Sequence, residues 1–205
     1  MGRQRQFDER QAVKSAQDQF WRHGYAGTSL RDLIAATGVS RGSLYAAFGD
    51  KHSLFMRALD SYCAMSLRRA AQELGGEPPS TAYDGIVNHV RCVADRRAAD
   101  TERRGGFLAK CAAELIPADE EATARITATF ELYRRALTVS IVRAQREHDL
   151  DPRADPDALA GFILGGLYGL EALHKLGESG STVHATAEQL IAVLPASAGW
   201  TDRRP

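Results

Sequence analysis

An all-α fold of about nine helices is predicted for this chain of 205 residues, on three observations. Apolar residues recur at spacings of three and four along most of the length, which lines up one face of each helix for burial. The residues after 80 show no alternating strand pattern. The period is broken at Gly38, at the GGEPPS stretch of 75–80, at Gly105-Gly106, at Pro117, at Pro152 with Pro156, and from Gly177 to Ser181. Such residues end helices.

Taken in order, residues 1–7 are polar and basic, with Arg3 and Arg5. Such a tail either reaches into a minor groove or stays disordered. A first helix is expected from Asp8 to about His23, with Val13, Ala16, Phe20 and Trp21 on its inner stripe and Gly24 at its end. Two short helices follow, at 28–36 and 40–47. Leu30, Leu33 and Ile34 form the apolar face of the first, and Thr28, with Ser29 behind it, is placed to cap it. Gly38 takes the positive φ that ends a helix, Val39 plugs the space between the pair, and Ser40 caps the second. Leu44 and Phe48, four apart, point into the same small core.

That leaves Arg41, Gly42, Ser43, Tyr45 and Ala46 facing outward. The face is short, polar, slightly basic and sterically open, and it suits a helix entering a DNA major groove. Small residues permit close approach, while Arg41, Ser43 and Tyr45 offer hydrogen bonds to phosphates or base edges. A plain helical hairpin is the alternative, but Gly42 inside a helix costs about 1 kcal/mol relative to alanine, which a purely structural helix has little reason to carry. Asp50 starts the next helix with Lys51 and His52 beside it, a good grip for phosphate. The candidate DNA-binding set is therefore Thr28, Ser29, Ser40, Arg41, Gly42, Ser43, Tyr45, Lys51 and His52.

The run from Phe20 to Phe55 resembles the N-terminal DNA-binding domain of TetR-type transcriptional regulators. The resemblance lies in Phe20, Gly24, Tyr25, Thr28 and Leu33, then Gly38-Val39-Ser40, Gly42, Leu44-Tyr45, Phe48, Lys51 and Leu54. Leu33-Ile34-Ala35 stands where the family usually shows an Ile-Ala pair, a departure that keeps the face apolar. The segment GGFLAKCAAELIP at 105–117 resembles one branch of that family, in which a cysteine often follows the first glycine; here Gly106 takes that place.

The formal net charge is zero, but residues 1–57 hold nine Lys and Arg against five Asp and Glu, and the remainder reverses the balance with 17 against 21. Basic charge thus gathers where the proposed DNA-binding helices are. No apolar run reaches membrane-spanning length, and the N-terminus lacks an apolar signal core. The three cysteines, Cys63, Cys92 and Cys111, have no CxxC spacing, so neither a disulfide framework nor a zinc site is indicated. A cytoplasmic protein is expected, with no membrane partner.

A longer helix from Asp50 to about Leu74, carrying Leu54, Phe55, Ala58, Leu59 and Tyr62 on one face, links a DNA-binding domain at 1–50 to a ligand-binding and dimerisation domain at 51–205. Further helices are expected at about 81–100, 105–115, 118–148, 155–177 and 182–194, and the tail from Ala196 reads as loose. In the 155–177 helix apolar residues cover more than one face, and Gly161, Gly165, Gly166 and Gly169 add a ridge of small residues, which suits close helix–helix approach within the domain and across a subunit boundary. One buried central helix with no dimer role is the alternative. The family resemblance implies pairing through the last two long helices as a four-helix bundle, and the expected interface is Phe162, Gly165, Gly166, Gly169, Leu173, Leu190, Ile191 and Leu194. Two-fold pairing also answers a physical need, since one helix-turn-helix reads only a few base pairs.

No catalytic or metal-binding motif is present, so neither enzyme activity nor a cofactor or metal is expected. His89, His148, His174 and His184 read as surface or satisfied core residues, and Asp95, Arg96 and Arg97 as a solvated face. An apolar effector site between bundle helices has as candidates Tyr62, Met65, Phe107, Cys111, Phe130, Tyr133, Phe162, Tyr168 and His174, for each of which core packing is the competing role. The expected function is a homodimeric, small-molecule-responsive regulator, a repressor on a palindromic double-stranded operator. The alternatives are a thiol redox sensor using Cys111 and an all-α binding or enzymatic bundle without DNA function.

Overall fold

A computed structural model describes residues 7–75 and 81–197. The basic tail carrying Arg3 and Arg5 lies outside these residues. Among the described residues are nine helices and no strand: α1 (Glu9–Gly27), α2 (Leu30–Thr37), α3 (Arg41–Phe48), α4 (Lys51–Gly75), α5 (Ala82–Ala98), α6 (Phe107–Leu115), α7 (Glu120–Arg146), α8 (Pro156–Leu176) and α9 (Gly180–Ala192).

Local chemistry accounts for their limits. Asp8, Ser29, Ser40, Thr81, Asp155 and Ser179 cap α1, α2, α3, α5, α8 and α9 with side-chain oxygens that accept first-turn N–H groups. Gly38 and Gly177 close α2 and α8 in the left-handed region. Within α1 the backbone breaks at Gly24 (φ 79°, ψ 172°), a conformation essentially confined to glycine, so the helix bends there before its last turn.

The described residues pack as two units: residues 7–65 with 107–127, and residues 66–75 and 81–106 with 128–197. This partition differs from a boundary at residue 50, because α6 and the start of α7 pack with the N-terminal helices. The core of the first unit holds Phe20, Leu33, Leu44, Phe48, Phe55, Leu59, Phe107, Leu115 and Ile126, all buried. Phe20 meets Phe55 edge-on at 5.2 Å, and Trp21 stands edge-on to Tyr62 at 5.3 Å. The second unit buries Ile86, Val90, Leu137, Ile141, Leu150, Ile163, Leu167, Leu170, Val183 and Ile191 in one cluster.

Two readings of the second unit need correcting. Arg97 is buried rather than solvated: it donates to the Gly105 carbonyl (3.0 Å) and pairs with Glu171 (3.3 Å). Arg96 pairs with Glu73 rather than standing free on a solvated face, and the same carboxylate binds His89, which also meets the Tyr133 hydroxyl at 2.5 Å and is the satisfied core histidine expected. The beginning of the tail is not loose, since Leu150 and Ala196 form a β-bridge and Ser197 N–H donates to the Asp149 carbonyl. The tail beyond residue 197 lies outside the described residues.

The glycine ridge of α8 divides in two. A Cβ on Gly166 would come within 2.6 Å of Leu190, so that glycine allows α8 and α9 to approach. On Gly161, Gly165 and Gly169 a Cβ would meet nothing within 4 Å. Phe162 on the same helix is half exposed, and Leu176 is more exposed still. Leu190, Ile191 and Leu194, expected at a subunit interface, are instead buried within this chain's own core.

Candidate nucleic-acid interface

The helix-turn-helix is built around Leu33, Val39, Leu44 and Phe48, each less than a tenth exposed. Gly38 (φ 67°) ends α2 while its N–H donates to the Ile34 carbonyl, and Ser40 Oγ accepts from Ser43 N–H to start α3. With its apolar side held inward, α3 turns Arg41, Gly42, Ser43, Tyr45 and Ala46 to the exterior, as expected. Tyr45 is 43% exposed, and the Arg41 guanidinium lies 5.6 Å from its ring centroid. A Cβ on Gly42 would meet no atom within 4 Å, so the protein's own packing does not require glycine there.

Ser29, rather than Thr28, caps α2. Its hydroxyl accepts from Asp32 N–H while Asp32 accepts from Ser29 N–H, a reciprocal capping box. Thr28 is fully buried, and its hydroxyl donates to the Gly24 carbonyl at 2.7 Å, tying the end of α1 to the start of α2. That side chain has no surface to present to DNA.

At the start of α4, Ser53 N–H donates to Asp50 Oδ1 at 2.7 Å, so a carboxylate already occupies the helix N-terminus. This bond holds the Asp50 carboxyl below its ordinary range. Lys51, expected to grip phosphate there, has its ammonium 4.4 Å from the Tyr25 ring centroid. His52 is committed elsewhere: its Nε2 meets Asp119 Oδ2 at 2.8 Å, and its ring stands edge-on to Tyr25. Asp119 also caps α7, accepting from Ala122 N–H, which lowers its carboxyl pKa ahead of the contribution from His52.

The most informative site residues that sequence reasoning missed are on α6. Lys110 Nζ donates to the carbonyls of Trp21 and Arg22, both at 2.8 Å. One turn later, Glu114 accepts from Tyr25 N–H at 2.9 Å and from Ala26 N–H at 2.6 Å. Their i,i+4 spacing reads from sequence as a pair within one helix; here each reaches instead to the bend in α1.

The effector candidates divide between the units. Tyr62, Met65, Phe107 and Cys111 belong to the first, where Tyr62 and Phe107 pack together with Trp21. Phe130, Tyr133, Phe162, Tyr168 and His174 belong to the second, where Phe130 meets Tyr168 at 5.1 Å. His174 is buried, its Nε2 within 2.9 Å of the Asp100 carbonyl oxygen. Cys111 is 3% exposed, and burial pushes its thiol up to about 12. A thiol held that far from its ionised form is a poor nucleophile, which counts against a redox sensor at this position. Among the described residues no cluster of His, Cys, Asp or Glu could hold a metal ion, and no helix is long and apolar enough to cross a membrane.

Comparison with known proteins bears on this head directly. The profile of the bacterial regulatory proteins of the tetR family matches residues 12–58, and that of the tetracyclin repressor-like C-terminal domain matches residues 86–190. The chain belongs to the TetR family. The uncharacterized HTH-type transcriptional regulator YezE of Bacillus subtilis is 30% identical over 172 residues, 80% of this chain and 84% of that protein. The transcriptional repressor ComR of Escherichia coli is 28% identical over 162 residues, 79% of this chain and 77% of its own. A solved structure of the TetR-family regulator CifR, a cysteine mutant complexed with 26 bp double-strand operator DNA, superposes with a TM-score of 0.80 at 30% identity. It covers 95% of this chain and all of CifR.

Proposed function

We propose that this TetR-family DNA-binding regulator acts as a homodimeric repressor on a palindromic operator and is released when a small molecule binds its C-terminal bundle. The observation that carries the reading is the α3 face, where Arg41, Ser43 and Tyr45 stand exposed on a helix whose opposite side is buried. Arg41, Ser43 and Tyr45 take base edges and phosphates, Ser29, Ser40 and Lys51 take phosphates, and Gly42 lets α3 approach closely. Thr28 and His52 drop out of the contacting set.

Dimerisation is supported by the open stripe of Gly161, Gly165 and Gly169 with half-exposed Phe162. Two copies of α3 then address half-sites about one or more helical turns apart. Repression is supported by the naming of ComR as a repressor. An effector that binds better to the form with badly spaced recognition helices, by about 1–3 kcal/mol, lowers operator affinity about 5- to 150-fold.

The test is a titration of purified protein against the promoter region of its own gene and against shuffled DNA, from 50 to 200 mM salt. A specific dimer making about 6–10 phosphate contacts should lose about 10³–10⁵ in affinity across that range. Micromolar binding that is equal for every sequence would sink the proposal.

A further inference from the structure

We propose that Lys110 and Glu114 are positioning residues for operator recognition: together they clamp the bend of α1 and so set the angle at which α2 and α3 leave it. The two side chains act on opposite polarities of one backbone joint. Before the bend, the Lys110 ammonium takes two carbonyls near the end of the first stretch of α1, those of Trp21 and Arg22, where the helix dipole favours a cation. After it, the N–H groups of Tyr25 and Ala26 point to the Glu114 carboxylate, one to each oxygen. Exchanging the two charges would oppose both sets of dipoles.

The joint is where the helix-turn-helix is hung. Gly24 carries the φ of 79° that turns the chain, and a Cβ there would come within 2.7 Å of Glu114. Two residues beyond Ala26, the Thr28 hydroxyl returns to the Gly24 carbonyl, and Ser29 opens α2. The orientation of α2, and through its tight turn that of α3, therefore follows from the backbone that Glu114 holds. The same backbone carries the Tyr25 ring, which packs on Phe55 at 4.9 Å and lies under the Lys51 ammonium. The clamp thus governs the placement of both the recognition helix and the phosphate-gripping lysine.

Solvation argues for geometry over simple stability. Glu114 is exposed and Lys110 is half-buried, so water could satisfy the same N–H and carbonyl groups if either side chain were absent. What water cannot do is fix the direction of the joint.

The proposal rests on sequence-specific DNA binding, and its test keeps the two separate. The probes are a duplex enriched by the wild-type protein from a randomised library and a scrambled duplex of equal length. Glu114→Ala and Lys110→Met should each weaken binding to the enriched duplex by about 2- to 30-fold. Binding to the scrambled duplex and its salt dependence should stay as in the wild type, and Lys110→Arg should restore the enriched-duplex affinity. Where Glu114→Ala folds poorly, Glu114→Gln serves, keeping an acceptor for one of the two N–H groups and giving an intermediate loss. Hydrogen exchange should quicken at the Tyr25 and Ala26 amides while the amides within α3 keep their protection. Equal losses on both duplexes, or none on either, would overturn the positioning role. If the wild-type protein enriches no sequence, the operator reading itself fails and the clamp's role with it.

Discussion

The Glu171 carboxylate lies where a Cβ at residue 106 would be, so Gly106 and Glu171 exclude any larger neighbour from one another's space. Gly106→Ala should destabilise the protein by about 1–3 kcal/mol, the usual range for overpacking. In a Glu171→Ala background the same change should cost less, with a coupling above about 0.5 kcal/mol in a urea-unfolding cycle. Strict additivity would mean that Glu171 moves aside freely. The clash also accounts for a glycine here, where one branch of the family often carries cysteine.

Burial raises the Glu171 carboxyl above its ordinary value, although Arg97 and Arg96 pull the other way. A group whose folded pKa is raised contributes stability that is fully present below its unfolded value, about 4.3 for glutamate, and lost as pH rises through the folded value. Relative to Glu171→Gln, which does not titrate, the wild type should therefore lose stability as pH rises above about 4. Parallel profiles of unfolding midpoint against pH would refute this.

Gly42 and Tyr45 should separate folding from DNA binding. Gly42→Ala gains helix propensity, up to about 1 kcal/mol, and its new methyl meets nothing inside the protein. Thermal stability should hold or rise while operator affinity falls. Tyr45→Ala should cost about 1–3 kcal/mol of operator binding with the fold intact. An operator affinity untouched by both changes would move the recognition face elsewhere.

Adjacent glycines on α8 should behave oppositely. Gly166→Ala drives a methyl into Leu190 and should cost about 1–3 kcal/mol in unfolding experiments. Gly165→Ala should leave the monomer fold unharmed, and Phe162→Glu should shift sedimentation toward the monomer without loss of helical circular dichroism. A Phe162→Glu protein that stays dimeric would remove this surface from the interface.

Thiol labelling followed by mass mapping should find Cys92 before Cys111 at pH 8. Cys92 is half-buried, whereas the Cys111 thiol is buried with a pKa of about 12, and its labelling should quicken only as the pH climbs toward that value. Rapid modification of Cys111 at neutral pH would revive the redox reading.

Much of this architecture could be read from single residues. Ser40, Gly38, Pro156 and Gly177 mark helix limits by their own chemistry, and Leu44 and Phe48 reveal the hidden side of α3 by spacing alone. Harder to read were choices made by distant partners. Thr28 and Ser29 carry the same functional group, and only the bend at Gly24 decides which of them turns inward. His52 looks like a free donor until Asp119, 67 positions away, is brought beside it. Arg97 reads as solvated because Glu171 and the Gly105 carbonyl become its neighbours only on folding. An ion or hydrogen-bond pair across such separations leaves no periodicity in one sequence.

The packing of Trp21 edge-on to Tyr62 and at 5.8 Å from Phe107 has a practical consequence. The chain has two tryptophans, and Trp200 lies outside the described residues. A Trp200→Phe protein would thus hold a single indole wedged between α1, α4 and α6, its own carbonyl in the grip of Lys110. Its emission maximum and quenching by the neighbouring rings give an optical gauge of that junction, readable without any attached dye.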